Sequence, residues 1–247
     1  MNLYILLPAF NEEKDLEKLV KSLAGTLQRF NQSYTVVVVD DGSRDRTPKI
    51  AEELARICPM KLIQHSQNKG YGAAIHTGFS WVLSQGQDDD VLITMDCDNT
   101  HPPDYIDSMT SQIRRGYEMV IASRYQKGGG QVGFSLRRKF FSRSANSLLR
   151  TLFPISGVRD YTSGYRAYKI ALLRRAKEHY GEGFIESRGF TVPMEILLKL
   201  RPMGVRVREI PLMLRYDLKN GTSKMKAIKT ILAYLEVMRF LKRKEII

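Results

Sequence analysis

The chain has 247 residues, of which 43% are hydrophobic, and this is enough for one large α/β domain or two small ones with a full core. Lysine and arginine outnumber aspartate and glutamate by 39 to 26, and the net charge of +13 indicates a polyanionic partner such as nucleic acid, an anionic membrane face or a phosphorylated substrate. Cys58 and Cys97 show neither the spacing of a metal site nor a disulfide framework, which is typical of the reducing cytosol.

The first seven residues are mostly apolar and are followed by Pro8. They lack the basic start and the cleavage site of a signal peptide, so we interpret them as a core strand. No run of about 18 consecutive apolar residues occurs, so no transmembrane helix is expected. These features favour a cytoplasmic protein.

In the first half of the chain, strand and helix patterns alternate. In order, they predict strand 3–8, helix 16–30, strand 35–39, a helix that Thr47 caps and that carries Pro48, Ile50, Leu54 and Ile57, strand 61–65, helix 73–83, strand 91–95, helix 105–115 and strand 118–123. Such alternation implies βαβ units. We therefore expect the α/β class, with a single, mostly parallel, twisted sheet flanked by helices.

The second half is organised differently. It predicts a flexible loop at 127–130, a basic amphipathic helix over 137–152, a turn-rich segment at 160–166, helix 192–200, an alternating strand over 205–216 and a closing helix over 224–244. We divide the chain into a main domain, residues 1–223, and a C-terminal amphipathic helix, residues 224–247.

Two carboxylates stand where an apolar run ends. Asp96 and Asp98 follow the run at 91–95 and precede Asn-Thr-His-Pro-Pro at 99–103. Carboxylates two residues apart at a strand end can both reach one divalent cation, and Mg²⁺ and Mn²⁺ take oxygen ligands alongside diphosphates. A solvated acidic strand end gives the same pattern, so these residues alone leave both interpretations open. For the neighbouring His101, a structural role is at least as well supported as a functional one.

Three further strand ends carry polar or glycine-rich turns. Residues 8–13 are Pro-Ala-Phe-Asn-Glu-Glu, residues 40–43 are Asp-Asp-Gly-Ser, and residues 68–74 are Asn-Lys-Gly-Tyr-Gly-Ala-Ala. Ligands of open α/β sheets bind beyond the carboxyl ends of the strands, and a glycine-rich turn into a helix favours phosphate. The third turn has the spacing of neither a dinucleotide fingerprint nor a P-loop. Helix capping and tight turns explain the first two segments equally well.

Taken in this order, the segments resemble the family-two glycosyltransferases, whose single α/β domain binds a nucleotide sugar. The matching blocks continue with Ala122-Ser-Arg-Tyr125, Asp160-Tyr-Thr-Ser-Gly-Tyr-Arg166, Glu209-Ile-Pro211 and Asn220-Gly-Thr-Ser-Lys224. The later blocks resemble the polyprenyl-phosphate branch, typified by dolichol-phosphate mannose synthase. The likeness covers about residues 1–226 and implies a glycosyltransferase A-type fold.

The resemblance implies a role for each matching residue. The nucleoside pocket would be lined by Pro8, Phe10, Glu12, Asp40 and Asp41. The diphosphate of the donor, with its Mg²⁺ or Mn²⁺, would be held by Asp96 and Asp98, with Cys97 between them. The acceptor or donor phosphates would be bound by Arg124, Arg138, Ser142, Arg215 and Lys224, of which Lys224 is assigned to the nucleotide sugar. The expected catalytic residues are Asp96, Asp98, Arg124 and Arg215.

We therefore expect a metal-dependent hexosyltransferase. It would move mannose or glucose from a nucleoside diphosphate sugar to a polyprenyl (dolichyl or undecaprenyl) phosphate, with inversion at the anomeric carbon. One alternative is a family member that acts on a soluble or polysaccharide acceptor. Another, suggested by charge alone, is a non-catalytic nucleic-acid-binding protein, although no aromatic stacking platform accompanies the basic residues. A third is an inactive subunit, against which the retention of both aspartates argues.

The closing segment, 224–247, has the pattern of a helix at a membrane interface. Its apolar stripe consists of Ile228, Leu232, Leu235 and Met238, flanked by Ile231, Tyr234 and Leu241. The opposite side carries Lys226, Lys229, Arg239 and Arg243. This pattern favours peripheral attachment to an anionic cytoplasmic membrane face, alone or with a membrane-anchoring partner. The alternative is a helix that packs on the sheet or docks to another protein.

Overall fold

The strands and helices of the chain come from a computed structural model that describes residues 1–220, 227–243 and 246. The strands are β1 (Leu3–Ala9), β2 (Tyr34–Asp40), β3 (Met60–Gln64), β4 (Val91–Thr94), β5 (Met119–Ser123), β6 (Gly130–Val132), β7 (Arg166–Lys169), β8 (Val207–Pro211) and β9 (Met213–Arg215). The helices are α1 (Leu16–Arg29), α2 (Thr47–Leu54), α3 (Tyr71–Gln85), α4 (Tyr105–Arg114), α5 (Leu136–Leu152), α6 (Ile170–Tyr180), α7 (Val192–Leu200) and α8 (Ala227–Arg243).

Within the described residues, seven strands form one sheet in the order β3-β2-β1-β4-β7-β5-β8. Neighbouring strands are parallel except at β7, which is antiparallel to both β4 and β5. The chain runs outward from β1 through β2 to β3 and then places β4 on the other side of β1. Ligands of such sheets bind where the order reverses, so the loops after β1 and β4 are positioned to share a site. The expected mostly parallel α/β fold is confirmed.

The central strand β1 is buried on both faces because successive side chains point to opposite sides of the sheet. Tyr4 and Leu6 join the core on the side of α3, α6 and α7. Leu3, Ile5 and Leu7 join the core on the side of α1, α2 and α4. Full burial stabilises the fold by about 1.5–3 kcal/mol for each such aliphatic side chain. The sheet is therefore a rigid support for the loops at its carboxyl edge.

The helix predicted after residue 46 is shorter than expected and begins differently. Thr47 is the first residue of α2 and not its N-cap. Its hydroxyl instead donates to Asp45 Oδ1 at 2.5 Å and accepts the Glu12 N–H at 2.8 Å. The helix ends at Leu54, so Ile57, which was predicted on its apolar face, lies outside it and is 73% exposed. The hydroxyl of Thr47 thus ties α2 to the loop that follows β1.

The strand predicted over 205–216 is two strands in two different sheets. β8 pairs with β5 in the main sheet, whereas β9 pairs with β6. The chain passes from one sheet to the other at Leu212. The Leu212 N–H donates to the Ser123 carbonyl, and the Leu212 carbonyl accepts from the Gly130 N–H. Pro211 precedes it and has no N–H to donate to a ladder. The backbone hydrogen bonds therefore change partner at this point, and the chain crosses over the edge of the sheet where the site lies.

The last helix, α8, packs on α5 and on the core. The buried side chains in its described part are Tyr234, Met238 and Leu241, all of which belonged to the predicted membrane-facing set, whereas the side chains of Ile228, Ile231 and Leu232 lie outside the described residues. Leu235, from the centre of the predicted stripe, is 37% exposed. In the described part of α8, the apolar face thus contacts the protein, as the packing alternative predicted. In the described ranges, no helix is long and apolar enough to span a bilayer.

Candidate active site

A cavity of about 390 Å³ opens at the carboxyl ends of β1, β2, β4 and β5. The sequence-predicted residues that line it are Pro8, Phe10, Glu12, Asp41, Asp96, Cys97, Asp98, Arg124, Arg138 and Ser142. Its wall also contains the aromatic residues Tyr71, Phe134, Phe190, Tyr216 and Tyr234. The fold therefore brings together side chains that were predicted from motifs more than a hundred residues apart.

On the side of β2, the buried carboxylate of Asp41 organises the glycine-rich turn. Its Oδ1 accepts the Lys69 N–H at 2.9 Å, and its Oδ2 accepts the Gly70 N–H at 2.8 Å. His65 Nδ1 lies 2.7 Å from Asp41 Oδ1. A carboxylate oxygen accepts hydrogen bonds, so the Nδ1–H of His65 is the donor in this contact. Asp40 lies outside the cavity lining, and its Oδ1 accepts the Ser43 N–H at 3.2 Å. Asp41 is thus the carboxylate of this pair that borders the cavity.

The glycine-rich turn packs tightly against a later loop. A β-carbon at Gly72 would lie 1.8 Å from the carbonyl oxygen of Ser187, so glycine is required there. The Gly72 N–H donates to the Arg188 carbonyl at 3.0 Å. The rings of Tyr71 and Phe190 lie 5.2 Å apart at the cavity wall. The loop at 185–190 therefore forms one side of the site, which the sequence did not predict.

A buried ion pair on α7 holds this loop in place. The Glu195 carboxylate accepts the N–H groups of Glu186 and Ser187 at 3.0 and 2.9 Å. The Lys199 ammonium, fully buried, lies 2.6 Å from Glu195 Oε1 and also donates to the Gly183 carbonyl. Lys199 thus pairs with Glu195 in the interior, while the Glu195 carboxylate fixes the loop backbone.

The predicted metal carboxylates lie together at the end of β4. Asp98 is buried, and its Oδ1 accepts the Thr100 hydroxyl at 2.6 Å. Its Oδ2 accepts the Lys219 ammonium at 2.5 Å. Burial by itself would raise the pKa of Asp98, but the charge and hydrogen bond of Lys219 and the hydrogen bond of Thr100 lower it. Asp98 is therefore an anion at neutral pH.

Asp96 differs from Asp98 in its exposure and in its partners. Its side chain is 39% exposed toward the cavity. Desolvation in the cavity and the nearby charge of Asp98 raise the pKa of Asp96, although His101 and Lys219 oppose the shift. Because the charge of Asp98 disfavours the ionised form of Asp96, a cation between the two carboxylates would relieve their repulsion.

His101 has a structural role beside the pair. Its Nδ1 accepts the Asp96 backbone N–H at 2.9 Å, which leaves the proton on Nε2. Nε2 lies 3.9 Å from Asp96 Oδ2, and the ring stacks on Tyr165 with a centroid distance of 4.9 Å. His101 thus fixes the loop at the acidic pair and presents its N–H toward a carboxylate.

Arg124 is held at the cavity wall by a buried carboxylate. Its Nε and Nη2 donate to the two oxygens of Asp160 at 2.8 and 2.7 Å, and Nη2 also donates to the Thr162 hydroxyl. Burial would lower the pKa of Arg124, but the charge of Asp160 raises it, so the guanidinium stays charged. Asp160 in turn is anchored because Glu209 Oε1 accepts its N–H at 2.7 Å. The turn-rich block at 160–166 is therefore an orienting support for Arg124.

Arg138 and Ser142, one turn apart on α5, form another part of the cavity. The Arg138 guanidinium lies between the rings of Phe134 and Tyr216, 4.2 and 4.5 Å from their centroids. Ser142 Oγ lies 2.7 Å from the Tyr125 hydroxyl. Two aromatic faces hold the cation without neutralising its charge, so Arg138 can still attract an anion.

One of the last two predicted phosphate ligands, Arg215, stands apart from this set. Arg215 is not among the cavity-lining residues, and its guanidinium makes a bidentate contact with Asp217, with Nη2 2.8 Å from Oδ2. Lys224 lies outside the described residues. Among the described residues of the C-terminal half, Lys219 is placed at the acidic pair, and the sequence reasoning missed it. Its position after Tyr216-Asp-Leu gave no motif signal.

The comparisons with known proteins identify the family. The model of glycosyl transferase family 2 matches residues 4–177. Polyprenol monophosphomannose synthase of Mycolicibacterium smegmatis is 32% identical over 90% of this chain and 80% of its own length. Dolichol-phosphate mannosyltransferase of Pyrococcus furiosus is 34% identical over 95% of this chain, which spans 62% of the length of that relative. The chain belongs to glycosyl transferase family 2, and the resemblance that the motifs indicated is confirmed.

Solved structures share the fold. A crystal structure of glucosyl-3-phosphoglycerate synthase from Mycobacterium tuberculosis, in complex with Mn²⁺, UDP and phosphoglyceric acid, has a TM-score of 0.70 with 18% identity. The match covers 98% of this chain and 78% of that one. A second structure of the same enzyme, with Mg²⁺ and UDP, has a TM-score of 0.69. These likenesses establish the glycosyltransferase A-type fold.

The donor set fits a hard divalent cation. Asp98 Oδ2 already contacts a cationic nitrogen, and the carboxylate of Asp96 opens to the same cavity. In the part of the chain that the structure describes, no group of three or more His, Cys, Asp and Glu side chains could hold a metal ion by itself. The remaining ligands would be diphosphate oxygens and water, as is usual for Mg²⁺ at phosphate sites.

Proposed function

We propose that this protein transfers a hexose, with mannose favoured over glucose, from a nucleoside diphosphate sugar to a polyprenyl phosphate, and that the transfer requires Mg²⁺ or Mn²⁺. One observation carries the proposal: a single cavity joins the Asp96–Asp98 pair to the guanidinium groups of Arg124 and Arg138. The acidic end suits a metal-bound donor diphosphate, and the basic end suits a second anion. A reaction between two anionic substrates needs both the metal-binding end and the basic end of the cavity.

The names of the relatives support the choice of acceptor and sugar. Both curated relatives are named as enzymes that transfer mannose to dolichol phosphate or polyprenol phosphate. The fold neighbours that were crystallised with Mn²⁺ or Mg²⁺ and UDP support the choice of a divalent cation. Family membership also accounts for the acidic pair, which the nucleic-acid alternative leaves unexplained.

The chemistry needs no strong base. A phosphate monoester with its second pKa near 6 is mostly a dianion at neutral pH, so an acceptor oxygen can attack the anomeric carbon directly. The new bond forms on the face opposite the bond to the diphosphate, which breaks, and nucleoside diphosphate leaves with inversion. A divalent cation held by Asp96 and Asp98 would neutralise the charge that develops on this leaving group.

The residues of this chain orient the two substrates. Asp41 fixes the glycine-rich turn on the nucleoside side, and Asp160 fixes Arg124 at the cavity wall. Arg138 and Ser142 extend the wall along α5, where an acceptor phosphate would approach. Catalysis in this arrangement consists mainly of positioning and charge stabilisation.

Contact with an anionic membrane surface belongs to the same proposal. Leu136 and Phe140, one turn apart on α5, are 84% and 68% exposed, and Lys139 and Arg143 each lie three residues after one of them. An apolar surface beside basic side chains suits the interface of a bilayer that holds a lipid acceptor. The buried face of α8 shifts the expected contact from α8 toward α5.

The test is a panel of nucleotide sugars, including GDP-mannose and UDP-glucose, with a short polyprenyl phosphate and Mn²⁺ or Mg²⁺. Mass spectrometry would detect the lipid-linked sugar phosphate, and the unphosphorylated polyprenol is the matched control. We expect product only with the phosphorylated lipid. Transfer to water-soluble sugars or glycans, with none to the lipid phosphate, would support the alternative of a soluble or polysaccharide acceptor and refute the proposal.

A further inference from the structure

Lys219 and a divalent cation require the same oxygen of Asp98. Lys219 Nζ lies 2.5 Å from Asp98 Oδ2, and each side chain is 11% exposed. The other oxygen, Oδ1, accepts both the hydroxyl and the N–H of Thr100. Oδ2 is therefore the oxygen through which Asp98 can reach a cation in the cavity, and the ammonium stands in its path.

The contact is part of a short segment that is tied to the acidic loop at several points. We define residues 215–220 as the C-terminal strap. The Arg215 N–H donates to the Thr100 carbonyl at 3.0 Å, and Asn220 Nδ2 donates to Asp15 Oδ1 at 2.6 Å. Asn99, from the acidic loop, donates to the same Asp15 oxygen at 2.8 Å. The strap and the loop are thus fastened to one buried carboxylate, which places Lys219 reproducibly over the acidic pair.

The strap also reaches the basic end of the cavity. Tyr216 supplies one of the two rings that enclose Arg138, and Lys219 Nζ lies 5.9 Å from the centroid of that ring. Lys219 therefore lies between the metal carboxylate Asp98 and the ring that covers Arg138.

We infer that Lys219 is an exchangeable cation of the active site, which neutralises Asp98 until a divalent cation takes its place and then turns toward the phosphates. This inference rests on the proposed function, because it assumes that Asp98 binds the metal. Two cations cannot share Oδ2 at contact distance, since their mutual repulsion in a partly buried site is large. Metal binding therefore requires the ammonium to leave, and donor phosphate oxygens in the same cavity are the anions that can receive it.

Direct measurement of Mn²⁺ affinity tests the exchange without any sugar transfer. Free Mn²⁺ would be followed by electron paramagnetic resonance during titration of wild type, Lys219→Met and Lys219→Gln near neutral pH. Removing a charge-assisted contact with a carboxylate shifts such an equilibrium by roughly tenfold or more. We expect both variants to bind Mn²⁺ about tenfold more tightly than wild type. At saturating Mn²⁺ they should bind GDP or UDP, whichever binds the wild type, less tightly.

Lys49→Met is the matched control because Lys49 is an exposed lysine on α2 and is not a cavity residue. It loses the same charge and should leave Mn²⁺ affinity unchanged. Circular dichroism would establish that each variant is folded, and Lys219→Gln keeps a polar side chain if Lys219→Met does not fold. Unchanged or weaker Mn²⁺ binding by the folded Lys219 variants would overturn the exchange.

The outcomes separate this inference from the proposed function. Tighter Mn²⁺ binding by the Lys219 variants, in a protein that glycosylates no lipid phosphate, would support the exchange and count against the proposed acceptor. Normal sugar transfer to lipid phosphate, with no change in Mn²⁺ affinity in the Lys219 variants, would support the proposed function and refute the exchange. If wild type and every variant bind no Mn²⁺ even with GDP or UDP present, both are refuted.

Discussion

The guanidinium of Arg124 and the carboxylate of Asp160 form a buried ion pair, with Nη2 2.7 Å from Oδ1. Asp160→Asn would leave the buried guanidinium without a compensating charge. We expect the free energy of unfolding to fall by about 3–5 kcal/mol, measured by urea denaturation. Glu17→Gln, which removes one partner of the exposed Glu17–Lys21 pair, should have no measurable effect. Equal free energies of unfolding for wild type and Asp160→Asn would contradict the role of Asp160 as the charge that holds Arg124.

The stabilisation by Asp160 should depend on pH. Burial would raise the pKa of Asp160, but Arg124 lowers it below the ordinary value of 3.8. A carboxyl with a lowered pKa stabilises the folded state above its ordinary value and loses this effect as the pH falls through the folded value. The difference in unfolding free energy between wild type and Asp160→Asn should therefore have its largest value at neutral pH and decrease below about pH 4. A constant difference across this range would argue against an ionised Asp160.

Lys199 should support the loop at 185–190 through Glu195. Lys199→Met would leave the buried Glu195 carboxylate unpaired, at a cost of about 3–5 kcal/mol in unfolding free energy. Because Glu195 holds the loop that packs on Gly72, nucleoside diphosphate binding measured by calorimetry should also weaken. Lys177→Met, which removes a half-buried lysine paired with the exposed Glu182, is the control and should change neither quantity. If Lys199→Met is less stable but binds the nucleotide with unaltered affinity, the Glu195–Lys199 pair stabilises the fold and does not support nucleotide binding.

The packing of α8 on the core is tested by two leucines on the same helix. Leu241 is fully buried, whereas Leu235 is 37% exposed. Leu241→Ala should destabilise the protein by about 2–5 kcal/mol, since it leaves a cavity in the core. Leu235→Ala should stay within about 0.5 kcal/mol of wild type in the same urea titration. A reversed order would mean that α8 presents its other face to the core.

Most of the sheet and the acidic end of the site could be predicted from the sequence. Buried parallel strands such as β1 are continuous apolar runs, and the residues after them must meet at one edge of the sheet. Asp96 and Asp98 were found by this logic. The antiparallel β7 was missed because its sequence, Arg-Ala-Tyr-Lys, is short and has no apolar run.

The rest depends on contacts between distant segments. Ile210, Leu212 and Leu214 alternate without interruption, so the pattern could not show that the strand changes partner at Leu212. Whether Arg215 or Lys219 faces the acidic pair is decided by the turn at 216–218, which lies just beyond this change. Side-chain direction in such a turn follows from tertiary packing and not from periodicity.

Arg215 remains predicted as a ligand of the acceptor phosphate. Its ion pair with Asp217 provides a control variant for this prediction. Arg215→Ala should lower turnover on lipid phosphate by about thirty- to a thousand-fold, the effect of one charge-assisted transition-state contact, with little change in donor affinity. Arg215→Lys should also be impaired, because lysine cannot replace a bidentate guanidinium. Steady-state kinetics with each substrate varied in turn, together with calorimetry for the donor, would measure both effects.

Asp217→Ala is the matched control, since it removes the present partner of Arg215 and leaves the guanidinium intact. It should retain activity. Wild-type kinetics for both Arg215 variants would refute the assignment, and a pure loss of donor affinity would move Arg215 to the donor diphosphate.

The acidic pair is tested most directly by sugar transfer to polyprenyl phosphate in Asp98→Ala, with Mn²⁺ or with excess EDTA. Asp107→Ala, an exposed aspartate on α4, is the control for the loss of one carboxylate. With Mn²⁺, the activity of Asp98→Ala should fall on the order of a thousandfold below wild type while circular dichroism shows that the variant is folded, and wild type should lose activity in EDTA. Full activity of Asp98→Ala in excess EDTA would contradict a metal-dependent transferase built on Asp96 and Asp98.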